Sequence, residues 1–215
     1  MATKKQERAL DIVSRLKRMY PKAKCTLDFT NPFELLIATM LSAQSTDARV
    51  NIVTKSLFHK YPNVQAFAEA RQLEMERDVR QTGFFRNKAK AVIAASKAIV
   101  EKHGGEVPRT MEELTALPGV GRKTANVVLA NAFNTPVGIV VDTHVTRVSG
   151  RLGLTASTDA VKIEQDLMKL IPQKDWTLFS HRLIFHGRQI CIARKPKCAE
   201  CLLNELCPSA EEPLE

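Results

Sequence analysis

The chain has no apolar run that approaches a membrane span. The clearest one, Leu35–Leu41, is far shorter than the roughly 20 residues a crossing helix needs. No membrane partner is expected. Met1–Tyr20 is basic but lacks an apolar signal core, which argues against a secretory leader. Glu7 and Asp11 are out of place in a transit peptide. Leu10, Val13, Leu16 and Met19 recur at helical spacing, so this segment reads as a docked amphipathic helix. The cytoplasm or the nucleoid is the expected location. Low-complexity segments and clear repeats are also missing.

Acid is scarce where base is not. Asp142 is the single acidic residue from Leu114 to Thr158, and none occurs between Asp175 and Glu200. Over the whole chain, 32 Lys and Arg outnumber 23 Asp and Glu, a net charge of +9. That excess points to a polyanion, with nucleic acid ahead of an acidic membrane surface. The 215 residues, 44% hydrophobic and 26% charged, suit a globular protein of one large domain or two small ones.

Strand signals are nearly absent. Asn31, Pro32 and Glu34 mark a helix start, as N-cap, first helical position and N3. Further helices are expected near 47–60, 64–70, 72–81, 86–103, 110–116, 122–133, 143–152, 158–171 and 176–190. Gly104 and Gly105 stop one of them, and Pro108 keeps it from resuming. Val137–Val141 is the only strand-like run. With no partner strand, it reads as a buried extended connector between two helical lobes. The expected fold class is all-α.

Leu117-Pro118-Gly119-Val120-Gly121 lies between two helical stretches. Pro118 ends the first, and both glycines permit a tight backbone with positive φ. The amides of Gly119 and Gly121 and the next helix N-terminus would then form an anion site for a DNA phosphate. A plain interhelical turn is an equal reading of these five residues alone. A P-loop is excluded, because Arg122 replaces the glycine before Lys123-Thr124 and no strand precedes the loop.

Arg122 and Lys123 are the only cations between Glu113 and Asp142. Isolated charges in apolar sequence need a job or a partner. Lys123 falls in the first turn of the helix, where the positive helix end and nearby desolvation favour the neutral amine. A neutral lysine can attack an aldehyde-like carbon and form a Schiff base; a phosphate clamp is the alternative. Asp142 heads Thr143-His144-Val145 and suits an N-cap. A cap alone is the simpler reading of this segment. A carboxylate held ionised there could also orient or deprotonate a nucleophile, or stabilise a cationic sugar.

Of five cysteines, only Cys25 stands apart, and it reads as a small buried hydrophobe. Cys191, Cys198, Cys201 and Cys207 supply four thiols within seventeen residues. Clustered cysteines in a reduced compartment suggest a metal centre rather than disulfides. Both a structural zinc and a 4Fe–4S cluster fit the set. Only one tight CxxC pair occurs, which tilts the spacing modestly toward the cluster. Arg194, Lys195 and Lys197 fall between the first two cysteines. A metal there would pin a basic loop for backbone contact; a solvated surface is the alternative.

Taken together, these stretches resemble the endonuclease III family of helix-hairpin-helix DNA glycosylases. The matching pieces are Met40-Leu41-Ser42-Ala43-Gln44, LPGVGRKTANVV at 117–128, VDTH at 141–144, HGR at 186–188 and the four cysteines. They run in order over nearly the whole chain. The resemblance implies two lobes flanking a DNA-binding cleft: a six-helix barrel at 25–135, and an iron–sulfur domain from 1–24 plus 136–215. It implies a monomeric, bifunctional enzyme acting on double-stranded DNA. Such an enzyme removes damaged pyrimidines and cleaves the abasic site by β-elimination. Lys123 matches the family's nucleophile and Asp142 its partner carboxylate. The four cysteines become ligands of a structural 4Fe–4S cluster. Gln44 would fill the gap left by a flipped nucleotide, and Phe84 would wedge into the stack, where many relatives carry an aliphatic residue. Without the resemblance, Phe84 and Phe85 read as core. Gly119, Gly121, Arg122, Arg194, Lys195 and Lys197 would hold phosphates. An adenine-mismatch glycosylase typically has a small residue in place of Lys123 and a further C-terminal domain. A non-catalytic, metal-stabilised DNA-binding protein would have no use for Lys123 together with Asp142.

Overall fold

The computed structural model describes residues 3–210, and the described residues form helices and no strand. In chain order the α-helices are α1 (Lys4–Met19), α2 (Pro32–Leu41), α3 (Asp47–Lys60), α4 (Val64–Ala68), α5 (Gln72–Asp78), α6 (Phe85–His103), α7 (Met111–Ala116), α8 (Arg122–Asn131), α9 (Thr143–Arg151), α10 (Ala160–Leu170) and α11 (Trp176–Gln189). The chain divides into two units. One is Cys25–Val137; the other joins the residues up to Lys24 with those from Gly138 on.

In the middle unit, α2 starts where local chemistry dictates. The Asn31 side chain accepts from the Glu34 amide at 3.0 Å, and the Glu34 carboxylate accepts from the Thr30 amide at 2.6 Å. Pro32 takes the first position, where its missing N–H is not needed. Leu35, Leu36, Ile37, Ala38 and Leu41 are all fully buried. The apolar run is therefore a central helix covered on every side rather than an amphipathic one. α6 packs on α4 and α5, and α8 packs on α2 and α7. α6 ends as expected: Gly104 takes φ +60°, and the Gly105 amide donates to Ile99 O at 3.1 Å.

In the terminal unit, α1 buries Ala9, Ile12, Val13 and Leu16. Leu10, expected on that face, is 41% exposed. The small residue Ala9 carries the stripe one position earlier than Leu10 does. α9 packs on α11 through Gly187, where an added Cβ would lie 3.1 Å from both His144 Nδ1 and an Arg147 guanidinium nitrogen. The HGR sequence thus owes its glycine to close helix approach. Val137–Val141 is not a strand. Ile139 and Val140 are buried, and Val140 O accepts from the Ser180 hydroxyl at 3.0 Å. No helix among the described residues is long and apolar enough to cross a membrane.

Candidate nucleic-acid interface and metal centre

The hairpin between α7 and α8 is solvent-facing at Gly119, Gly121, Arg122 and Lys123, while Leu117 and Val120 anchor it in the core. Its two glycines differ. Gly119 takes φ +76°, and a Cβ there would come within 2.7 Å of Ala91 Cβ on α6. Gly121 is the extended N-cap of α8, at φ −94°, with open space around it. The expectation of positive φ holds only for Gly119. Arg122 and Lys123 are the first two residues of α8, so their side chains stand beside the helix-end amides. Lys123 is exposed. The desolvation expected around it is absent.

A hollow of about 310 Å³ is lined by Met40, Ala43, Gln44, Phe84, Asn87, Lys88, Ala91 and Gly119. Three separate segments meet there: the loop after α2, the turn before α6 and the hairpin. Gln44 and Phe84 are both exposed, with left-handed backbones of φ +54° and φ +46°. Phe84 is 64% exposed, so the reading from composition, which put it in the core, is wrong; Phe85 alone packs there. Gly83, also at positive φ, turns Phe84 outward. Lys88, which no motif marks, is buried beneath this surface. Its one signal is a lysine on the apolar stripe of α6, in line with Val92, Ala95 and Ile99.

In the terminal unit, Asp142 is the N-cap of α9, as expected, and its carboxylate accepts from the Val145 amide at 2.8 Å. His144 follows. Burial pulls its imidazole below the ordinary range, the Asp142 carboxylate opposes that, and Arg147 and Arg188 add to it. Two arginines further along α9 hold the cysteine loop. Arg147 donates to Gly187 O at 2.8 Å and to Cys191 O at 3.1 Å. Arg151 donates to Ile192 O at 2.8 Å and Ala193 O at 2.9 Å, and reaches Cys191 Sγ at 3.4 Å. No local pattern in the sequence points to this pair.

Cys191, Cys198, Cys201 and Cys207 all line one cavity, together with Arg151, His186 and Asn204. None forms a disulfide. Among the described residues, no three His, Cys, Asp or Glu side chains gather tightly enough to hold a single ion. Zinc would need its sulfurs at about 2.3 Å from one point. Thiols spread around a cavity suit a cubane instead, in which each iron takes one cysteine. The Leu203 amide donates to Cys201 Sγ at 3.4 Å, the kind of bond that supports a ligating thiolate. His186 is buried, with Nε2 at 3.6 Å from Cys201 Sγ and Nδ1 at 3.1 Å from the Tyr20 hydroxyl. Burial lowers its pKa to about 4, which keeps the ring neutral. Arg194, Lys195 and Lys197 are exposed on the loop after Cys191, and Lys197 lies 4.0 Å from Glu200.

An exposed glycine hairpin beside a hollow rimmed by Gln44 and Phe84, with four thiols around a separate cavity, is the arrangement expected of a helix-hairpin-helix DNA-binding protein that carries a metal centre. Residues 37–173 match the HhH-GPD superfamily of base excision DNA repair proteins, and residues 191–207 match the iron-sulfur binding domain of endonuclease III. Endonuclease III of Synechocystis sp. is 58% identical over 98% of this chain and 96% of its own. A non-covalent endonuclease III–DNA complex superposes with a TM-score of 0.91 at 45% identity, covering 98% of this chain and 97% of that one. A trapped endonuclease III–DNA covalent intermediate, in its estranged-adenine complex, gives 0.91 at 45% identity, covering 98% of both chains. The chain belongs to the endonuclease III family, and it is a base-excision-repair DNA glycosylase and abasic-site lyase whose cofactor is a 4Fe–4S cluster. The adenine-mismatch alternative is not favoured.

Proposed function

We propose that this enzyme removes damaged pyrimidines from double-stranded DNA with Lys123 as nucleophile and Asp142 as partner carboxylate. The observation that supports it best is the place of Lys123. It is exposed at the head of α8, directly after a hairpin whose Gly119 lines the same hollow as Gln44 and Phe84. Hairpin amides and Arg122 hold phosphates without reading sequence, and Arg194, Lys195 and Lys197 add further backbone grip. Phe84 wedges into the stack and Gln44 fills the gap while the lesion swings out, at a cost of a few kcal/mol. The Lys123 nitrogen bonds to C1′ through its lone pair. The bond from C1′ to the base breaks, and the base departs with that electron pair and takes up a proton. The Asp142 carboxylate stabilises positive charge on the sugar, and the nitrogen's extra proton passes to water. The C1′–O4′ bond then breaks as the nitrogen lone pair forms the iminium, and O4′ takes a proton from water. Water removes a C2′ proton, those electrons form the C2′–C3′ double bond, and the bond from C3′ to its oxygen breaks, its pair leaving with the phosphate. Water then frees Lys123.

The same reading gives Cys191, Cys198, Cys201 and Cys207 to the 4Fe–4S cluster, which serves structure rather than hydrolysis. It places a six-helix barrel at 25–135 and the iron–sulfur domain in the remainder. One chain carries every group the chemistry uses, so the enzyme works as a monomer, at the nucleoid. Borohydride added during turnover should reduce the imine and fix the protein to DNA. Lys123→Gln should abolish both that adduct and strand cleavage while keeping DNA binding. A variant that still traps would assign the nucleophile to another amine. Wild type that releases base but never traps would be a monofunctional enzyme using water.

A further inference from the structure

Lys88 is a charged side chain in an apolar place. It lies one turn into α6 and is only 7% exposed. Burial lowers its pKa from the ordinary lysine value. Among the described residues no carboxylate pairs with it. Its ammonium instead donates to Leu41 O at 2.8 Å and to Thr82 O at 2.7 Å, while its backbone N–H donates to Phe84 O at 3.1 Å. Leu41 ends α2 three residues before Gln44, and Thr82 comes two residues before Phe84. Gln44 and Phe84 both hold left-handed backbones, which non-glycine residues keep only where the surroundings over-determine them. One buried cation thus stitches the base of one loop to the base of the other, and the same lysine lines the hollow between their exposed tips.

We propose that Lys88 is a positioning residue for base extrusion, tying the Gln44 loop to the Phe84 turn so that both side chains are placed before DNA arrives. This rests on the extrusion roles given above to Gln44 and Phe84. Without the tie, each loop would have to be ordered on binding, and interface ordering erodes affinity and rate. Lys88 is not a second nucleophile. Its nitrogen is held beneath the surface on two backbone carbonyls, and swinging it out to attack a sugar would break both bonds.

The test pairs Lys88→Met, which keeps length and removes the donors, with Phe84→Ala, Gln44→Ala and the Lys88→Met/Phe84→Ala double variant. Single-turnover excision of thymine glycol from a duplex is compared with cleavage of a preformed abasic site. Lys88→Met should slow excision about tenfold and abasic cleavage by less than about twofold, since no base remains to extract. In the Phe84→Ala background the added cost should fall below about twofold, because the two residues act through one element. A non-catalytic readout accompanies this: 2-aminopurine opposite a tetrahydrofuran abasic analogue. Wild type should brighten it, and Lys88→Met should not. Should Lys88→Met fail to fold, Lys88→Gln, which retains a donor, should show the same selectivity at a smaller amplitude. Equal slowing on both substrates, or full additivity with Phe84→Ala, would overturn the proposal while a selective Phe84→Ala left the extrusion reading standing. Unselective Phe84→Ala and Gln44→Ala would remove that reading and the Lys88 role with it.

Discussion

The Asp142 carboxylate accepts from the Val145 amide at 2.8 Å, and that bond alone would justify an aspartate at the head of α9. Cap and chemistry can be separated because Asn caps as well as Asp does. Asp142→Asn should change stability by only a few tenths of a kcal/mol. It should slow base excision roughly a hundredfold, the scale of losing one preorganised group at a charged transition state. Asp159 is the control. It caps α10 in the same way, accepting from the Lys162 amide at 2.9 Å, but stands apart from the VDTH stretch. Asp159→Asn should leave excision unchanged. Thermal melts and single-turnover rates on the two variants decide the matter. If both enzymes excise at the wild-type rate, Asp142 is a cap and nothing more.

At the scale of elements, the hairpin glycines show what a motif conceals. The LPGVG sequence presents them as equals, yet their backbones are not. Gly119→Ala would force a side chain into φ +76° and drive its Cβ to 2.7 Å from Ala91 on α6. The expected cost is about 1–3 kcal/mol, and moving the turn should weaken binding to undamaged duplex as well. Gly121→Ser meets open space at φ −94° and puts a favoured N-cap residue at the head of α8. It should match or exceed wild-type stability. Comparable melting temperatures for Gly119→Ala and wild type would mean that α6 yields and that the close approach matters little. α9 shows a related division of labour. Its first residue follows the Asp142 cap, while Arg147 and Arg151 farther along grip the backbone around Cys191. Through that grip, the loop that begins at Cys191 is tied to the helix that Asp142 caps.

Across the whole molecule, what could be read beforehand was local. Asn31, Asp142 and Gly104 act within a few residues, so the caps and the helix stop were visible in order along the chain. Long-range partners were not. Lys88 meets a carbonyl 47 residues away, and Arg151 bonds to backbone 41 and 42 residues away. Composition also misplaced Phe84, since aromatics favour burial and only the left-handed turn carries it into solvent. The net charge of +9 was legible but anonymous, and its assignment to DNA binding can be tested at one loop. Arg194 and Lys197 are exposed, and the 4.0 Å pair of Lys197 with Glu200 is too weak in water to cancel its charge. If both residues hold phosphates, Arg194→Glu/Lys197→Glu should lower affinity alike for lesion and undamaged duplexes. The slope of log affinity against log salt should flatten by about 0.9 for each phosphate that is no longer neutralised. Anisotropy titrations at several salt concentrations measure both. Iron content must be followed in parallel, because the loop joins Cys191 and Cys198, two of the proposed cluster ligands; about four irons per chain in both proteins would show that only charge has changed. With iron retained, an unaltered salt slope would return Arg194 and Lys197 to the solvated surface and leave the hairpin to hold DNA without them.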